Sequence, residues 1–103
     1  MPSTQDYLDF VLDCLSGAQE ISYRKMMGEY LIYYRGKVIG GIYDNRFLLK
    51  NVPSVIRCMP DAKPELPYEN AKEMLAVDGE YSKEFFKDLL GAMYDELPQA
   101  RKR

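Results

Sequence analysis

Apolar residues recur at helical spacing near both ends of the chain and alternate with polar residues between them. Tyr7, Phe10, Val11, Cys14 and Leu15 share one stripe, widened by Leu8 and Leu12, with Asp6, Asp9 and Asp13 on the opposite side. Ser3 followed by Asp6 fits a capping-box start, and Gly17 offers a left-handed stop, so a helix is predicted over residues 4–16. Phe85, Phe86, Leu89, Leu90, Met93, Tyr94 and Leu97 form a second, longer stripe. Ser82 caps it, Glu84 lies near its positive end, and Pro98 closes it. Between the two, residues 20–26, 29–34, 37–43 and 46–50 read as a β-meander, with two-residue turns at Arg35-Gly36 and Asp44-Asn45. Pro53 opens a short helix with Val55, Ile56 and Met59 on its apolar side, and Pro60 ends it. Prolines at 60, 64 and 67 mark a packed loop over 60–70. Residues 74–77 suit a fifth strand.

The order helix, β-meander, short helix, strand, helix predicts an α+β fold with helices packed on one face of a largely antiparallel sheet. All 103 residues are read as a single domain, with no internal repeat. The two-residue turns also predict a register. Leu31, Tyr33, Val38, Gly40, Ile42, Phe47 and Leu49 fall on one face, which has no charge and is expected to receive the helices. Tyr30, Ile32, Tyr34, Lys37, Ile39, Gly41, Tyr43, Arg46, Leu48 and Lys50 fall on the other. A bulge at Arg35-Gly36 would shift part of this pattern. Gly40-Gly41 in mid-strand reads as room for a helix packing closely over the sheet.

Composition narrows the chemistry. The chain has no histidine, which removes Ser-His-Asp and Cys-His arrangements and histidine-ligated zinc. Cys14 and Cys58 are far apart, match no CxxC pattern and read as buried, reduced thiols of a cytoplasmic protein. Neither a secretory leader nor an apolar run long enough to cross a membrane is visible. Glu69, Glu73 and Asp78 are the carboxylates that acid-base or metal chemistry would draw on, but no motif fixes their geometry. The chain therefore reads as non-enzymatic, with no catalytic residue, metal or cofactor assigned.

One series of short motifs carries a family likeness. Arg24-Lys25-Met26-Met27-Gly28 is followed by Tyr30-Leu31-Ile32-Tyr33-Tyr34, Gly36-Lys37 and Phe47-Leu48-Leu49-Lys50. Pro67-Tyr68-Glu69-Asn70-Ala71-Lys72 and Met74-Leu75 extend the series. In order and spacing these resemble the amino-terminal domain of the TfoX (Sxy) family, over roughly residues 4–97. The family's Phe is Met27 here, its second Gly is Glu29, and its hairpin Asp is Arg35. The resemblance implies an α/β domain, and kinship with regulators of natural competence that act in transcription beside a cyclic-AMP receptor protein. Those regulators carry a second, carboxy-terminal domain with no counterpart in this sequence, so a stand-alone form is expected, to which the competence role does not transfer directly.

Charge is divided along the chain. Residues 21–50 hold six basic residues, Arg24, Lys25, Arg35, Lys37, Arg46 and Lys50, against Glu29 and Asp44, whereas residues 61–100 hold four basic and ten acidic ones. The tyrosine-and-cation side of the predicted sheet thus becomes the candidate interaction surface: Tyr30, Tyr34, Lys37, Tyr43, Arg46 and Lys50. Such a surface fits an unidentified protein partner, a homodimer contact, or a nucleic acid whose bases stack on the tyrosines. It also fits ordinary cross-strand pairing with snorkelling cations. The formal net charge of −2 weighs against strong nonspecific DNA binding. The reading that results is a cytoplasmic protein-interaction or regulatory module, with nucleic-acid binding as the alternative.

Overall fold

The computed structural model describes residues 4–26, 28–77 and 81–97. Ser3, Met27, Asp78, Pro98 and the Arg101-Lys102-Arg103 tail lie outside the described residues. Helix α1 (Gln5–Cys14) leads into strands β1 (Ile21–Met26), β2 (Glu29–Tyr34), β3 (Lys37–Ile42) and β4 (Phe47–Leu49). Helix α2 (Pro53–Cys58), short strands β5 (Pro64–Glu65) and β6 (Met74–Ala76), and helix α3 (Lys83–Tyr94) follow. The strands form one antiparallel sheet in the order β1-β2-β3-β4-β6-β5. This is the α+β architecture the hydrophobic pattern implies. The loop predicted over 60–70 contributes a two-residue edge strand, which Pro64 can enter because an edge leaves one side of the backbone unpaired.

Local chemistry explains the boundaries. Thr4, not Ser3, caps α1: its hydroxyl accepts from the Tyr7 N–H at 3.2 Å. The Thr4 N–H donates to Asn45 Oδ1 at 3.0 Å, which ties the helix start to the β3–β4 turn. Ser82 caps α3 by accepting from the Phe85 N–H. Both predicted two-residue turns form, with positive φ at Arg35, Gly36, Asp44 and Asn45, the left-handed pairs that suit the twist of a hairpin. Gly17 does not adopt a left-handed conformation. It sits where a Cβ would come within 3.1 Å of the Lys83 carbonyl, so its smallness lets α3 start beside it.

The face assignment changes inside β3. Tyr34 pairs with Lys37 and Tyr33 with Val38, but Ile32 then pairs with Gly40. Ile39 is an extra residue in β3, a β-bulge, and it reverses the alternation from there on. The core under the helices accordingly takes Tyr30 and Ile32 from β2, Ile39 and Ile42 from β3, and Phe47 and Leu49 from β4. They meet Leu8, Val11 and Leu15 of the first helical segment and Phe86, Leu89, Leu90 and Met93 of α3. The expected inward positions of Ile42, Phe47 and Leu49 hold, and those of Leu31, Tyr33 and Val38 are corrected to the outer face. The bulge lies opposite Ile32, not at Arg35-Gly36. Gly40 and Gly41 are small for a reason other than helix packing. A Cβ on Gly40 would lie 2.1 Å from the Leu48 oxygen and one on Gly41 2.6 Å from the Tyr30 oxygen, so the neighbouring strands occupy the space.

Candidate functional site: the outer face of the sheet

The side of the sheet away from the helices carries Arg24, Leu31, Gly41, Leu48 and Ala76 in one cross-strand row. Leu48, Met74, Ala76 and Tyr43 are buried there in a small second cluster, with Leu31 packed against it. Residues 67–74 rise beside this face and leave a groove of about 540 Å³. Its apolar floor is Leu31, Val38 and Met74, its aromatic wall is Tyr43 and Tyr68, and its charged rim is Lys50, Lys72 and Glu73. The two tyrosine rings are 6.3 Å apart and tilted by 57°, so they form an open corner rather than a slot for a flat ring. Burial pushes the Tyr43 hydroxyl above its ordinary pKa, with Tyr68 and Glu29 adding to the effect. Tyr68 is about two-thirds exposed, which leaves a large ring unsheltered at the groove mouth.

Of the six residues nominated from the sequence, the groove brings together only Tyr43 and Lys50. Tyr30 is buried in the helix-side core. Tyr34 packs on that side too, edge-on to Tyr94 at 5.9 Å. Lys37 is a correction of greater consequence. It is only 8% exposed, and its ammonium donates to the Tyr94 and Leu97 carbonyls at 2.9 and 3.3 Å. It also lies 4.0 Å from the centre of the Tyr94 ring. A cation meeting the carbonyl end of α3 satisfies acceptors that the helix leaves unbonded. Lys37 is therefore a cap, not a surface charge. Arg46 is engaged as well: Nη1 meets Glu65 Oε1 at 2.6 Å, Nη2 donates to the Leu66 carbonyl and Nε to the Tyr43 carbonyl. It fastens the segment around Glu65 to the end of the β3–β4 hairpin.

Several groove residues escaped sequence reasoning. Leu31 and Val38 were assigned to the covered face because strict alternation was carried through the bulge. Tyr68 and Lys72 lie in a proline-rich stretch without periodicity, and only its return across the outer face brings them to Tyr43. Of the candidate carboxylates, Glu73 reaches the groove and Glu69 stands exposed outside it. Among the described residues no group of three or more His, Cys, Asp or Glu is placed to hold a metal ion. Both cysteines are free. Cys14 is half-buried, its thiol pushed up by burial and by Asp13, but Cys58 is exposed, against expectation, because it ends α2 on the solvent side.

A second polar cluster serves the fold. The Glu96 carboxylate accepts from the Ser54 N–H at 2.9 Å and from its hydroxyl at 2.6 Å, while Arg57 donates to the same hydroxyl. Those bonds hold the Glu96 carboxyl below the usual carboxylate range. They also supply an acceptor at the start of α2, whose N-cap Val52 has none.

The fold and this face define an α+β protein whose sheet is covered by helices on one side and open to a groove on the other. No family model and no solved structure matches the chain. It is 30% identical, over 104 aligned positions covering the whole chain and 90% of the relative, to the "uncharacterized 12.7 kDa protein in trpE 5'region" of Spirochaeta aurantia. The chain belongs to the family of that protein. Among the described residues, no helix is long and apolar enough to cross a membrane.

Proposed function

We propose that the protein is a non-enzymatic, regulatory protein-interaction module of the TfoX amino-terminal type, and that it binds its partner through the outer-face groove. The observation that carries this reading is the composition of the groove. An apolar floor, an exposed tyrosine at the mouth and a rim of mixed charge suit a protein segment that inserts an apolar side chain and offers carboxylates to Lys50 and Lys72. Neither lysine is paired with a carboxylate among the described residues. Glu73 on the same rim would repel a phosphate backbone, which favours protein over nucleic acid.

The test is affinity retention from the native cell extract, comparing the wild-type chain with a Lys50→Glu, Tyr68→Ala variant. Both side chains can change without entering the helix-side core. A partner held by the wild type should be lost by about tenfold or more in the variant, a difference of ~1.4 kcal/mol, at unchanged melting temperature. Nuclease treatment should leave retention intact. Retention that ignores the double substitution, or that nuclease abolishes, would contradict the proposal.

A further inference from the structure

Strand β1 ends the sheet, and its far side has no neighbouring strand among the described residues. The Arg35 N–H donates to the Glu20 carbonyl at 3.0 Å, which sets the phase of the β1–β2 ladder. Glu20, Ser22, Arg24 and Met26 turn their backbone groups toward β2, so Ile21, Tyr23 and Lys25 turn theirs outward. The strand is six residues long, and nearly all of it is exposed. Tyr23 and Met26 are both 46% exposed, one on each side of the sheet. Leu12 of α1 joins Ile21, Ser22 and Tyr23 around a shallow recess of about 450 Å³ beside this edge.

Two charges identify the occupant. Arg24 and Lys25 project to opposite faces of the strand, and neither is paired with a carboxylate among the described residues. The nearby Glu20 is directed to Arg35. A second copy of β1 laid along this edge would add two more cations to it, and in the registers centred on Arg24 or Lys25 like charges would stand directly opposite each other, which is destabilising. Basic residues on an edge strand guard against such self-pairing. The same charges attract an acidic strand.

We propose that the β1 edge receives an extended acidic segment of a partner protein, which adds to the sheet as a seventh strand. In antiparallel pairing the segment reads acidic, acidic, apolar. The first two residues lie opposite Lys25 and Arg24, and the third lies opposite Tyr23, over the recess beside Leu12. This edge adjoins the groove where Arg24 pairs with Leu31, but it shares no lining residue with it and does not depend on it.

Amide hydrogen exchange of the isotope-labelled full chain provides the test. The probe is the synthetic peptide Thr-Val-Glu-Glu-Ile-Thr-Val, and the control replaces both Glu with Lys. The acidic peptide should slow exchange at Ile21, Tyr23 and Lys25 by about tenfold or more, with groove amides unchanged. The control peptide should have no effect. Tyr23→Pro removes an N–H that points away from β2, so the sheet survives and the protection should vanish. Lys25→Glu should shift the preference toward the lysine peptide. The proposal is overturned by no protection at ~1 mM acidic peptide, by equal protection from both peptides, or by protection that survives Tyr23→Pro with preference unmoved by Lys25→Glu.

Discussion

Gly40→Ala should destabilise the protein by about 3 kcal/mol or more, because the added methyl has no direction in which to yield. Its Cβ would stand 2.1 Å from the Leu48 oxygen and 2.9 Å from the Leu49 Cα. Both are backbone atoms of β4, and β4 is held between β3 and β6. Relief requires separating β3 from β4 where Gly40 pairs with Leu49 and Gly41 with Leu48. These residues join the helix-side core to the outer cluster, so the strain reaches both. In a domain of this size each kcal/mol lowers the melting temperature by about 4–8 °C. Thermal unfolding followed by circular dichroism measures the loss. Gly91→Ala is the control: nothing lies within 4 Å of its added Cβ, and alanine in the middle of α3 should raise stability by about 0.5–1 kcal/mol.

Lys37→Met should cost about 2 kcal/mol, while Lys50→Met should stay within about 0.5 kcal/mol. Methionine keeps the apolar stem of Lys37 but removes the ammonium. The Tyr94 and Leu97 carbonyls then lose a charged donor in a place with little water to replace it. The contact with the Tyr94 ring is lost as well. Lys50 lies on the groove rim, half-buried and paired with no carboxylate among the described residues. Urea unfolding of the two variants separates the roles of two lysines that the strand pattern had placed on one surface.

Much of the fold was legible because it depends on local signals. The helix stripes, the proline at the start of α2 and the two left-handed turns each act over a few residues, and each element forms within a few residues of its predicted place. The candidate site was less legible because it depends on parity. One extra residue at Ile39 exchanges the faces of half the sheet, and nothing in the run Lys37-Val38-Ile39-Gly40-Gly41-Ile42 announces it except the paired glycines. Hydrophobicity offered no warning either, since Leu31, Tyr33 and Val38 are as apolar as the residues that do face the helices. Lys37 misled for a physical reason: a lysine can be buried when its head reaches a helix end.

Three residues between positions 24 and 37 have visible structural duties. Gly28 takes a φ of +85° near the β1–β2 connection, Gly36 takes +87° in the β2–β3 turn, and Lys37 caps α3. These residues serve the fold, while other residues carry the proposed contacts: Tyr68, Lys50 and Lys72 at the groove, and Arg24 and Lys25 at the free edge.

The central claim is that the helices cover the side of the sheet bearing Tyr30, Ile32 and Lys37 and leave the side bearing Leu31, Tyr33 and Val38 open. Acylation of lysines in the native protein, resolved residue by residue by mass spectrometry, tests it most directly. Lys37 should react slower than Lys25 and Lys72 by on the order of tenfold or more, since its amine is reached only when α3 lifts from the sheet. Reaction of Lys37 as fast as those two would place it on an open face and contradict the account.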